Sequence, residues 1–229
     1  MSTESLIQRG QADLRFFYSP YFNTQSKLEA FLHDALDYEK GSLAKRQMLY
    51  QVQRFVSLAT DIDKLRPGRD GLRIMFIRIC LESLCSLSND SKKNNKLFYE
   101  TFINCFSDEG KQYILNNFKL SSFDDEICGY LMEVSHDLTM MDFFEIIRIT
   151  RNQVVHEGVY WEMQYFALAD EFPLSTTMAT KDRFLKTYTY QCQEERDITY
   201  HFETTLKYEN FIYYFIEACV NYIEKVEVI

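Results

Sequence analysis

The chain has 229 residues, 46% hydrophobic and 26% charged, and its 16 Tyr, 19 Phe and single Trp carry too much apolar surface to leave in water, so disorder is excluded. Lys and Arg number 25 against 34 Asp and Glu, a net charge of −9. Coating of long nucleic acid, which draws on phosphate neutralisation, is therefore disfavoured, and only a small local contact is credible.

With 7 Gly and 3 Pro there are few tight turns, which favours long helices over an all-β architecture. Six cysteines (Cys80, Cys85, Cys105, Cys128, Cys192, Cys219) form no C-x-x-C pair and read as small buried hydrophobes in a reducing compartment. The first ten residues lack a basic region followed by an apolar stretch, and no window reaches the ~18 apolar residues of a membrane span. The expectation is a cytoplasmic protein without a membrane partner, forming one domain over 1–229 with a helical portion at 1–66.

Apolar residues recur at helical spacing across 26–64 (Leu28, Phe31, Leu32, Leu36, then Leu43, Met48, Leu49, Val52, Phe55, Leu58), which predicts two helices broken at Gly41. The run Arg66-Pro67-Gly68-Arg69-Asp70-Gly71 is the strongest turn signal and a candidate hinge. Residues 72–87 are apolar on most sides, as in a central bundle helix, with Arg78 and Glu82 as the awkward members. A helical period restarts at Leu97, and further helices are expected over 110–118 and 124–133. Thr139 with Asp142 three residues on marks the start of a helix that ends near Gly158. The region 159–206 reads as a strand-rich insertion, with 184–206 a hairpin turning at Glu194-Glu195-Arg196-Asp197. A last helix covers 208–226. The fold class is mainly α, a helical bundle with a small β-hairpin in the C-terminal third.

Much chemistry is missing: the sequence holds no Gly-rich phosphate loop, no G-x-S-x-G and no H-E-x-x-H, and its four histidines are scattered. No metal or cofactor is expected. Lys64, Arg66, Arg69 and Arg73 form a short basic cluster around the Pro-Gly turn, and Lys92, Lys93 and Lys96 a second; either could touch a phosphate, but solvated loops are the favoured reading of both.

One constellation stands out. In 146–158 polar residues interrupt a strongly apolar helix. At about 100° per residue with Arg151 at zero, Phe144, Ile147, Val154 and Val155 lie near 20°, 320°, 300° and 40°, which points Arg151 along the buried stripe. Arg148, Asn152 and His156 fall at roughly 60°, 100° and 140° on an arc beside it. A guanidinium there needs an anion or carbonyls. Two readings are open. Arg151 pairs with an acid such as Glu82 while His156 caps a helix end, or Arg151, Asn152 and His156 line a site for one phosphate, with Asn152 orienting the imidazole one turn on.

The stretch Arg151-Asn152-Gln153-Val154-Val155-His156, followed by Glu157-Gly158, resembles the R-x(4 to 6)-H motif of the HEPN superfamily. Cys80-Leu81-Glu82-Ser83-Leu84 is similar to the second helix of the abortive-infection, Apea-like HEPN groups, where Ala is more usual at the first position. The resemblance covers 72–88 and 140–158. It implies a four- or five-helix bundle that dimerises and, in catalytic members, a metal-independent endoribonuclease. In that chemistry His156 acts as general base or acid, a histidine's ordinary pKa of ~6.5 suiting it to the task. Arg151, supported by Arg148, holds the nonbridging phosphate oxygens, and Asn152 orients His156 or the phosphate. The products are a 2′,3′-cyclic phosphate and a 5′-hydroxyl. The implied partners are RNA or a nucleotide, a second copy of the chain, and an antitoxin or other protein. The alternative is a non-catalytic module that binds a nucleotide, an RNA or a protein.

Overall fold

A computed structural model describes residues 3–36, 43–88, 95–125, 130–133, 137–159, 163–166, 172–180 and 198–226. The described residues form eight helices and four strands: α1 (Thr3–Tyr18), α2 (Gln25–Leu36), α3 (Leu43–Leu65), α4 (Asp70–Leu87), α5 (Asn95–Ile103), α6 (Asp108–Asn117), β1 (Phe118–Asp125), β2 (Tyr130–Glu133), α7 (Met140–His156), β3 (Leu174–Thr180), β4 (Ile198–Thr204) and α8 (Tyr208–Lys225). The fold is mainly helical, with one antiparallel sheet ordered β2-β1-β4-β3. Among the described residues no helix is long and apolar enough to cross a membrane.

The chain divides into two compact units, Met1–Ser57 with Ile79–Phe106 and Tyr213–Ile229, and Leu58–Arg78 with Ser107–Ile212. In the first unit, spacing by three and four residues turns Leu28, Phe31, Leu32 and Ala35 of α2 inward, and likewise Met48, Leu49, Val52 and Phe55 of α3. The buried Tyr18 hydroxyl donates to the Leu49 carbonyl at 2.9 Å, which supplies the partner that a phenol in a core requires. Cys80, Cys85, Cys105 and Cys219 are buried free thiols, as expected; Cys128 and Cys192 lie outside the described residues. Burial pushes the Cys219 thiol well above its ordinary range, so it packs as a hydrophobe and is no nucleophile.

The second unit departs from the sequence pattern. The helix expected over 124–133 is instead the end of β1, which begins directly after α6, and the whole of β2. Pairing across the chain overrides the local pattern: β1 runs antiparallel to β4, with Phe118 opposite Thr204 and Leu120 opposite Phe202. The junction is fastened by Asn117, whose carbonyl accepts the Thr205 N–H at 2.8 Å and whose Oδ1 accepts the Thr205 hydroxyl at 2.7 Å. The alternation of buried Phe118 and Leu120 with exposed Lys119 is the period-two signal for this strand. The expected hairpin is also redrawn: β4 pairs with β3, Leu174 opposite Thr204 through Thr180 opposite Ile198. The expected turn at 194–197 and the arm at 184–193 lie outside the described residues, as does Gly41. Helix α1 falls within the helical portion expected at 1–66, although no apolar spacing singled it out.

Helix α7 begins and ends as its sequence dictates. Thr139 Oγ1 accepts the Asp142 N–H at 3.2 Å and Asp142 Oδ2 accepts the Thr139 N–H at 2.8 Å, a reciprocal cap that satisfies two otherwise orphaned donors. At the far end the Glu157 and Val159 N–H groups both reach the Gln153 carbonyl, and Gly158 adopts φ +70°, where a side chain would be strained. The helix is oriented by aromatic rings: Phe143 meets Phe118 edge-on at 5.5 Å and Phe211 at 5.8 Å, and Phe118 stacks on Phe202 at 5.1 Å. Phe143 is fully buried, so Phe143→Ala is expected to cost ~3–5 kcal/mol of stability by chemical denaturation; a loss below about 1 kcal/mol would contradict this account of the core.

Candidate functional site

The buried residues of α7 are Met140, Phe143, Phe144, Ile146, Ile147, Ile149, Thr150, Gln153 and Val154. On the wheel used above their centre lies at about 280°, roughly 80° from Arg151. Val155, counted with the core from sequence, is 49% exposed. The sequence reading is thus corrected in one respect: Arg151 stands at the edge of the buried stripe, half-exposed. Sequence alone could not decide this, because apolar Val155 and polar Gln153 exchange the places that their chemistry suggests, and only the rings of β1, β4 and α8 fix which side faces inward.

The four α7 residues nevertheless share one arc. Asn152 stands about opposite the centre of the buried face, with Arg148 and His156 about 40° to either side of it. Arg148 and Asn152 are half-buried and His156 is exposed in the last turn, where a cation would complement the helix dipole. Arg151 Nη1 donates to Asn152 Oδ1 at 3.1 Å, so the Asn152 oxygen is engaged by the guanidinium and is not holding the imidazole. Arg148 is held by Glu145 one turn back, with Nε and Nη2 at 2.9 and 2.8 Å from Oε1. At 31% and 39% side-chain exposure this pair is partly screened by water. The arc therefore presents two guanidinium groups, a side-chain amide and an exposed imidazole, the donor set for one phosphate group. Glu82 stands half-buried on α4 in the first unit, whereas Arg151 belongs to the second.

Two members of the basic cluster around the Pro-Gly turn are engaged by acids. Lys64 pairs with Asp61 at 2.7 Å, and Arg73 bridges Asp63 at 2.8 Å and Asp70 at 3.0 Å. The Arg73 guanidinium also lies 4.3 Å from the centroid of the Tyr208 ring, a cation–π contact. In the second cluster Lys96 approaches Glu100 at 3.8 Å, and Lys92 and Lys93 lie outside the described residues. Asp124 and Asp125, at the start of the helix expected over 124–133, belong to β1.

Asp70 is the polar residue that sequence reasoning missed. It opens α4, is 7% exposed, and accepts the Tyr165 N–H at 2.9 Å on Oδ2 while holding Arg73 on Oδ1. An acid in the first turn of an otherwise apolar helix, three residues before an arginine, was the available signal. Burial raises its pKa from 3.8 and outweighs the Tyr165 N–H and Arg73, which both lower it. Beside it, burial pushes the Tyr208 phenol up to about 12. Among the described residues no group of three His, Cys, Asp or Glu side chains is placed to hold a metal ion.

No protein-family model, curated protein or solved structure matches the chain.

Because the folded Asp70 carboxyl keeps its proton to higher pH than the unfolded one, its stabilisation is full below 3.8 and drains as pH rises through the raised value. Denaturant titrations of wild type and Asp70→Asn from acid to neutral pH are expected to show the variant gaining relative to wild type as pH rises. A gap that stays constant would contradict the assignment.

Proposed function

We propose that the protein is a metal-independent endoribonuclease of the HEPN type that acts as a toxin or in antiviral defence in the cytoplasm. The observation that carries this reading is the α7 arc: half-buried Arg151 bonded to Asn152, with exposed His156 one turn on and Gly158 closing the helix.

RNA carries its own nucleophile, so the protein has only to move protons and stabilise charge. In the proposed reaction His156 takes the proton from the 2′-hydroxyl as the O2′–P bond forms. Arg151 and Arg148 offset the charge that builds on the nonbridging oxygens. The P–O5′ bond breaks, its electron pair goes to the 5′ oxygen, and that oxygen takes a proton from water or from the His156 of a second copy. The products are a 2′,3′-cyclic phosphate and a 5′-hydroxyl. A homodimer would gather four arginines at one groove, which suits a chain whose charge of −9 opposes binding of long RNA elsewhere. An inhibitory protein partner belongs to the same proposal.

A second reading, a module that binds a nucleotide, RNA or protein without turnover, is favoured by the Arg148–Glu145 pair, which already offsets one guanidinium. The two separate in one experiment. Structured RNA incubated with the full chain in EDTA is expected to be cut, with the rate falling about a hundredfold or more in His156→Ala and in Arg151→Ala and unchanged in exposed Lys119→Ala. Intact RNA, with binding lost in Arg151→Ala alone, selects the binding module. Intact RNA without binding, or cleavage retained in both α7 variants, overturns both readings.

A further inference from the structure

Among the described residues the sheet lies wholly within the second unit and ends in two edge strands, β2 and β3. An edge offers backbone N–H and C=O groups to any other strand, and proteins guard such edges with shortness, charge, proline or a bulge. β2 is guarded, having four residues and ending at Glu133. β3 is not. Its seven residues, Leu-Ser-Thr-Thr-Met-Ala-Thr, include no proline, and it is the only described strand without a charged side chain. It also pairs with β4 from Leu174 to Thr180 without a register shift.

The hydrogen bonds of β4 fix which groups β3 turns outward. The Thr205 N–H donates to the Asn117 carbonyl at 2.8 Å beside the Phe118–Thr204 pair, so in the antiparallel pattern Glu203 and Thr205 turn their backbone groups to β1 and Thr204 turns its own to β3. The Ser121 hydroxyl, which donates to the His201 carbonyl at 3.0 Å, agrees with this alternation. Leu174, Thr176, Met178 and Thr180 therefore bond to β4, and the N–H and C=O groups of Ser175, Thr177 and Ala179 point away from it. Among the described residues no strand takes them up. The side chains of Thr176 and Met178 are buried, and those of Ser175 and Thr177 are exposed.

We propose that this edge pairs with the same edge of a second copy of the chain, antiparallel about a two-fold axis at Thr177. Thr177 of each copy then exchanges both hydrogen bonds with Thr177 of the other, and Ser175 does so with Ala179 of the other. The pleats match: Thr176 opposes Met178 on the buried side, and the two Thr177 hydroxyls meet on the exposed side. Two features select a second copy over an unrelated strand. The chain carries −9, and two copies approach with least repulsion along a strip without charge. Pairing about a two-fold axis also consumes the open edge of both copies and leaves only the short β2 outside, so the assembly closes at two. Phe172, 76% exposed two residues before the strand, is carried to the far end of the other copy's β3. The interface is independent of the α7 arc and does not rest on the RNA reading.

Sedimentation velocity of the full chain over a concentration series is expected to show a reversible dimer. Thr177→Lys and Thr177→Glu alter an exposed side chain of the single copy, but each sets like charges face to face at the axis. Each is expected to weaken the dimer by about tenfold or more, and an equimolar mixture of the two to restore it, which also shows that both variants fold. Hydrogen exchange followed by NMR is expected to find the Ser175, Thr177 and Ala179 amides protected in wild type and released in either variant, with the Thr176 and Met178 amides slow throughout. A monomeric wild type, a dimer unchanged in both variants, or a mixture that fails to pair overturns the proposal. An unchanged dimer would do so while leaving the α7 reading standing.

Discussion

The ring of Phe143 decides how the second unit is built. It closes on Phe118 at the start of β1 and Phe211 on α8, with Phe202 of β4 stacked behind Phe118. Edge-on and offset aromatic pairs contribute ~0.5–1.5 kcal/mol each beyond the area they bury, and this cluster gathers two strands and two helices on a few rings. Its directional consequence matters most for function. Once the Phe143 face of α7 is inside, Asn152 points the opposite way, His156 is exposed and Arg151 is left at the boundary. The candidate phosphate site is thus the outer side of a helix whose inner side has no freedom to turn.

The two polar centres of this unit differ in how they meet the cost of burial. Asp70 is nearly covered and is compensated by an N–H and a guanidinium, yet its proton affinity still rises, as it does when desolvation exceeds the sum of the partners. The arginines of α7 stay at the margin, engaged by Asn152 and Glu145 through contacts that water or a phosphate oxygen can replace. A group held at the edge can exchange partners during a reaction; a buried network such as that of Asp70 serves to hold segments in place.

Much of this was legible in the sequence because it is local. Spacing by three and four residues marked α2 and α3, a run apolar on most sides marked α4, and Thr139, Asp142 and Gly158 bounded α7 closely. The common arc of Arg148, Asn152 and His156 followed from the helical repeat alone. What could not be read was decided at a distance. The end of β1 and the whole of β2 resembled a helix, but pairing of β1 with β4, about eighty residues downstream, and of β2 with β1 set the backbone. Val155 looked like core until the partners of Phe143 placed it outside. Asp70 looked like part of a solvated turn, because nothing near it in sequence announces that Tyr165 will donate to its carboxylate.

The central claim is that the outer arc of α7 receives an RNA phosphate at His156. The direct measurement is the NMR spectrum of the histidine rings as a non-cleavable 2′-deoxy oligonucleotide is added. Of the four histidines, His156 is predicted to show the largest and saturable shift, and Arg151→Ala to abolish it. A saturable shift centred on His33, His136 or His201 with His156 unmoved, or no shift at any of them, would contradict the account.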